Sequence, residues 1–115
     1  MERDSGFSDM RPSEAVDMFE GWRAAKSALL CRLYFERFKL GFTGYISSAS
    51  VDELIIASRD KASYMTLKLG SGVQFSYNDN LAFPEQAKLY KCNVVVHCGD
   101  RDAVVFSELK TQEDT

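Results

Sequence analysis

Residues 13–38 read SEAVDMFEGWRAAKSALLCRLYFERF, and the hydrophobic period changes inside that stretch. Up to Lys26 the apolar residues recur at helical spacing, with Ala15, Met18, Trp22 and Ala25 on one line and Val16 and Phe19 beside it. From Leu29 onward they alternate. Leu29, Cys31, Leu33 and Phe35 fall on one side, and Leu30, Arg32, Tyr34 and Glu36 on the other. A short helix over 13–26 followed by extended chain satisfies both halves.

Upstream, Pro12-Ser13-Glu14 opens the helix. Ser13 is the expected cap, and Glu14 and Asp17 sit where carboxylates complement the helix dipole. Gly21 costs about 1 kcal/mol relative to alanine, so the helix leans on packing. Its apolar stripe is expected to cover one open end of a sheet, with docking of a partner as the rival role. Residues 1–11 are polar, carry no apolar stretch of the signal-peptide kind, and read as a mobile arm.

Downstream, the first strand is expected over Leu29–Phe38, a turn at Leu40-Gly41, and continued alternation through Phe42, Gly44 and Ile46. Gly44 inside a strand marks a bend or a close backbone approach. Turns follow at Ser47–Asp52 and Arg59–Ser63, and around Gly70-Ser71-Gly72. The strands between them carry Leu54 and Ile56, then Met65, Leu67 and Leu69 against Tyr64, Thr66 and Lys68, then Val73, Phe75 and Tyr77. Asn78-Asp79-Asn80 breaks the pattern, and Pro84 makes residues 81–87 an irregular link or a single helical turn. Tyr90 to Cys98 and Val104 to Phe106 form the last pair about a turn at Gly99–Asp102, before an acidic tail at 111–115. Six or seven strands at this spacing predict a single mainly-β domain, a small, strongly bent antiparallel barrel over 28–109 with one N-terminal helix.

A chain of 115 residues with 45% hydrophobic and 27% charged side chains suits one domain with its own core. The net charge of −3 leaves no basic footprint of the kind nucleic-acid binders carry, so nucleic acid is not an expected partner. Three cysteines, Cys31, Cys92 and Cys98, sit in apolar alternation and read as reduced and buried, which favours a cytoplasmic setting. No apolar run approaches the roughly 18 residues of a membrane helix.

The chemistry-bearing residues are sparse. His97 is the single histidine, and its neighbour Cys98 points to the other face of the strand, so the two make no dyad. Asp52-Glu53 and Asp100 with Asp102 lie in turns and are too few to enclose a hard cation. No phosphate-loop, dinucleotide or nucleophile-elbow motif occurs. The expectation is a non-catalytic protein with no cofactor and no metal site. The five tyrosines fall near strand ends, where rings pack and hydroxyls stay wet, as at interfaces. An incompletely closed barrel also exposes unpaired backbone, which a second copy can satisfy. If the chain binds a ligand or RNA, the candidate surface is the basic and aromatic face of the first strand, Arg32, Tyr34, Arg37 and Lys39.

Phe42-Thr43-Gly44-Tyr45-Ile46 resembles the first motif of the Sm-like small-barrel family, and His97-Cys98-Gly99-Asp100 before Val104 and Phe106 resembles the second. Asp52 falls about one position late for the family's acid. The RNA-binding Asn is missing near Glu53 or Leu54, and the Arg of the second motif falls on Cys98. The resemblance therefore implies a bent barrel and ring or dimer assembly, and does not carry RNA binding over. A PilZ-like reading would need Arg-x-x-x-Arg, and Arg32 and Arg37 are one residue too far apart. The function expected is a homo-oligomeric interaction module, with a ligand- or RNA-binding barrel as the alternative.

Overall fold

The structure, a computed structural model, describes residues 8–37, 39–70, 72–79, 84–99 and 101–110. The first seven residues of the expected arm, the tail at 111–115, Phe38, Ser71, residues 80–83 and Asp100 lie outside the described residues. The elements run β1 (Ser8–Met10), α1 (Pro12–Ala25), β2 (Leu29–Tyr34), β3 (Lys39–Ala49), β4 (Glu53–Ser58), β5 (Tyr64–Lys68), β6 (Gln74–Asn78), α2 (Pro84–Ala87), β7 (Tyr90–His97) and β8 (Ala103–Leu109).

Helix α1 starts one residue before its expected position. Pro12 occupies the first turn, where its missing N–H costs nothing, and the Glu14 carboxylate accepts the Arg11 N–H at 2.8 Å. Ser13, expected to cap, lies within the first turn instead. The helix stops at Lys26, which turns left-handed at φ 56° and donates its N–H to the Arg23 carbonyl, while Ser27 N–H reaches the Trp22 carbonyl at 3.0 Å. Ala15, Phe19 and Trp22 are buried, and Phe19 sets its ring against Trp22, Phe75 and Phe106 at centroid distances of 5.8, 6.4 and 5.6 Å.

All eight strands form one antiparallel sheet in the order β1-β6-β7-β8-β2-β3-β4-β5. Two meanders, β2 to β5 and β6 to β8, are joined by the β2–β8 ladder, which runs from Leu29 opposite Glu108 to Tyr34 opposite Ala103. The expected barrel of six or seven strands is corrected on both counts. Ser8–Met10, inside the segment read as an arm, adds an eighth strand by pairing with Phe75–Tyr77, and no ladder joins β1 to β5, so the sheet stays open. The physical reason is that α1 supplies a second layer. Ala15, Phe19 and Trp22 join the same core as Leu29, Cys31, Leu33, Ile46, Leu54 and Ile56, and α1 contacts both β3 and β6, so the helix covers apolar surface that a closing ladder would otherwise have to enclose. The helix is thus part of the core.

The first reversal also moves. β2 ends at Tyr34, and Leu40 and Gly41 lie within β3, opposite Leu33 and Arg32. The charged pair Glu36-Arg37, both exposed, falls in the link instead. Asn78, read as a pattern breaker, is the buried last residue of β6, opposite Asn93. Gly44 is a close approach, as expected. A Cβ there would collide with the Ala57 carbonyl oxygen and lie 3.2 Å from Ile56 Cγ2.

Candidate functional site

The surface expected from sequence is only partly assembled. Tyr34 and Lys39 lie directly opposite each other across β2 and β3, both exposed, and Arg32 follows two residues along the same face. Arg37 is exposed in the link between the strands. Arg32, however, is half-buried and already engaged along that face. Its Nη2 donates to Ser107 Oγ at 2.8 Å, Ser107 Oγ donates to Asn93 Oδ1, and the guanidinium lies 5.7 Å from the Tyr90 ring centroid. Its Nε is buried with no hydrogen-bond partner. Ser107 and Asn93 are buried, so this network holds the half-buried Arg32 guanidinium against the sheet, on the face opposite the core.

His97, Cys92 and Glu108 are likewise engaged in structural contacts. His97 Nε2 lies 3.0 Å from Ser76 Oγ, a contact between neighbouring strands. Among the described residues no group of three or more His, Cys, Asp and Glu side chains is placed to hold a metal ion. Burial pushes the Cys31 and Cys92 thiols up to about 12, with Glu108 adding to the shift at Cys92. Cys98, expected buried, is half-exposed, and its thiol is raised by partial burial and by Asp102. Glu108 ties α1 to the sheet. It accepts from Trp22 Nε1 at 2.9 Å, from Ser27 Oγ at 3.3 Å and from the Cys92 thiol at 3.6 Å.

Among the described residues, β5 has a strand partner on one side only. Ser58 N–H donates to the Ser63 carbonyl and Leu69 N–H to the Asp52 carbonyl, both at 2.8 Å. Bonded pairs recur every second residue of an antiparallel ladder. In the β4–β5 register, Ile56 opposite Met65 and Leu54 opposite Leu67 are therefore the bonded pairs. Tyr64, Thr66 and Lys68 consequently direct their N–H and C=O groups away from β4, along the open side of β5. Their side chains are exposed, Tyr64 at 64%, while Met65 and Leu67 are half-buried on the core side. An apolar depression of about 340 Å³ lined by Leu40, Phe42, Ile56, Tyr64 and Met65 opens beside this strand, and Leu40 is 53% exposed. The opposite edge, β1, spans only three residues, a short edge of the kind that resists pairing.

No protein-family model matches the chain, and neither a curated protein nor a solved structure matches it. What the geometry defines is a class, a mainly-β domain of one open antiparallel sheet backed by a helix, with the five-residue β5 unpaired on its outer side among the described residues. Among the described residues no helix is long and apolar enough to cross a membrane. The alternation of Tyr64, Thr66 and Lys68 against Met65 and Leu67 is plain in the sequence, but nothing in the sequence says that β5 would be outermost.

Proposed function

We propose that the chain is a non-catalytic assembly module that dimerises by pairing β5 with β5 of a second copy. The observation that carries this reading is the self-complementarity of Tyr64-Met65-Thr66-Leu67-Lys68. Run antiparallel about a two-fold axis at Thr66, the strand sets Thr66 opposite Thr66, Tyr64 opposite Lys68 and Met65 opposite Leu67. Three outward residues on each strand then exchange about six backbone hydrogen bonds. No like charges face each other, and Met65 and Leu67 gain apolar neighbours on the core side. A parallel pairing would place Lys68 beside Lys68. A strand-edge contact buries less than a standard interface, so the dimer is weak, with Kd on the order of 10 µM.

The Sm-like resemblance points the same way, toward assembly, and the free thiols of Cys31, Cys92 and Cys98 suit a reducing, cytoplasmic setting. The ligand- or RNA-binding reading of the Arg32 face is less well supported, because Arg32 is engaged with Ser107 and Tyr90. Light scattering on size-exclusion eluates, over loadings from about 1 µM to about 1 mM, brackets the expected affinity. Wild type is expected to pass from monomer to dimer. Thr66→Pro, which removes an outward N–H and spares the β4 ladder, is expected to stay monomeric. Wild type that stays monomeric throughout, or a proline variant that still dimerises, overturns the proposal.

A further inference from the structure

We propose that the cavity between the C-terminus of α1 and the β4–β5 turn binds a free nucleotide. It encloses about 400 Å³ and is lined by Arg23, Lys26, Arg59 and Lys61 together with Tyr45 and Tyr64. That size suits a nucleotide-sized ligand. Four of the chain's 14 basic residues converge here in a protein of net charge −3, and no acid lines the cavity.

Arg23 is bonded to Glu20 at 2.8 Å, but among the described residues Lys26, Arg59 and Lys61 have no ion pair. Asp60, the acid between Arg59 and Lys61, is tied into its own turn. It accepts from Ser58 Oγ at 2.6 Å and from Ala62 N–H at 3.0 Å, and these bonds hold its carboxyl below the usual range. The C-terminal end of α1 carries partial negative charge, so anion recognition here rests on the side chains.

The backbone supplies a second, independent observation. Lys26 at φ 56° and Lys61 at φ 62° are the two non-glycine residues with positive φ among the described residues, and both line this cavity. Glycine is the easier residue at each place, one following a helix C-terminus and the other closing a turn. The chain accepts backbone strain at two separate loops and puts a cation in the same cavity each time.

The aromatic half follows from register. Tyr45 pairs with Ala57 and Ala57 with Tyr64, so the two tyrosines flank a small residue, about 9.5 Å apart between backbones. A planar ring is to enter between these two side chains on the shared sheet face, while the lysines and arginines meet phosphate oxygens.

Tyr64 is shared with the assembly reading, but no cation lining the cavity lies on β5, so variants at Lys26 and Lys61 test this inference without touching the β5 edge. Isothermal titration calorimetry tests it with adenosine and guanosine mono-, di- and triphosphates. Adenosine, guanosine, inorganic phosphate and a single-stranded oligonucleotide serve as controls. Saturable binding of nucleotides, tighter than of nucleosides or phosphate alone, is expected. In the variant Lys26→Gly/Lys61→Gly binding weakens about tenfold or more, since charge-assisted hydrogen bonds are lost, while Tm holds or rises because glycine fits both positions. Absence of nucleotide binding, equal binding of nucleosides, binding of the oligonucleotide alone, or a double variant that binds like wild type each overturns the proposal. So does a double variant that loses Tm together with binding.

Discussion

Thr66 sits on the two-fold axis of the β5 pairing, so any charge placed there meets itself. Thr66→Lys sets two ammonium groups opposite each other on an exposed face. At about 6 Å, with an effective dielectric between that of water and that of a protein surface, their repulsion is roughly 0.7–3 kcal/mol. Loss of the Thr–Thr contact adds about 0.2–1 kcal/mol. A total near 2 kcal/mol raises the dimer Kd about 30-fold. Thr66→Glu acts in the same way. Mixed in equal amounts, the two variants are expected to form a heterodimer, because lysine then faces glutamate. Sedimentation velocity reads all three samples directly, and raising salt to about 1 M is expected to recover part of the Thr66→Lys homodimer as the Debye length shrinks to about 3 Å. Thr66 is exposed, so each variant keeps its fold, with stability within about 0.5 kcal/mol of wild type. If Thr66→Lys dimerises like wild type, or the mixture stays monomeric, the pairing geometry is wrong.

Three further outcomes follow from the interior. Gly44→Ala drives a methyl group into the Ala57 carbonyl and is expected to lower stability by about 1–3 kcal/mol in urea melts. Glu108→Ala leaves the Trp22 indole N–H and the Ser27 hydroxyl without their acceptor and is expected to cost about 1–3 kcal/mol, with a change in Trp22 fluorescence as α1 loosens. The third concerns pH. The Cys31 and Cys92 thiols ionise near 9.0 in the unfolded chain and at about 12 in the fold. Above pH 9 the unfolded state therefore binds fewer protons than the fold, and stability falls as pH rises. At pH 10 the loss is about 1.4 kcal/mol per thiol. Urea melts between pH 8 and pH 10 should show this slope, and Cys31→Ala/Cys92→Ala should flatten it.

The alternation from Leu29 onward made the strands legible, because a half-buried strand leaves a period of two whatever its neighbours are. The close approach at Gly44 was legible for a related reason, since a strand interior tolerates glycine poorly unless space demands it. Closure was not legible. Whether β1 and β5 meet depends on how much apolar surface α1 covers, and Phe19 and Trp22 give no sign in the sequence of which strands they pack against. The Leu40-Gly41 turn was misplaced because Leu33 and Leu40 face each other across the hairpin and look the same in a linear reading. The engagement of Arg32 was not legible because its partner Ser107 lies on β8 and Ser107's own acceptor, Asn93, on β7, far along the chain. The cationic cavity could not be read at all, since Arg23 and Lys26 are separated from Arg59 and Lys61 by three strands.

Amide hydrogen exchange at two protein concentrations, below and above the dimer Kd, tests the β5 edge most directly. The N–H groups of Met65 and Leu67, bonded to β4, should be protected in both samples. Those of Tyr64, Thr66 and Lys68 should exchange rapidly when dilute and slow markedly when concentrated. If these three amides exchange at one unprotected rate at both concentrations, β5 is a bare edge and the account of assembly fails.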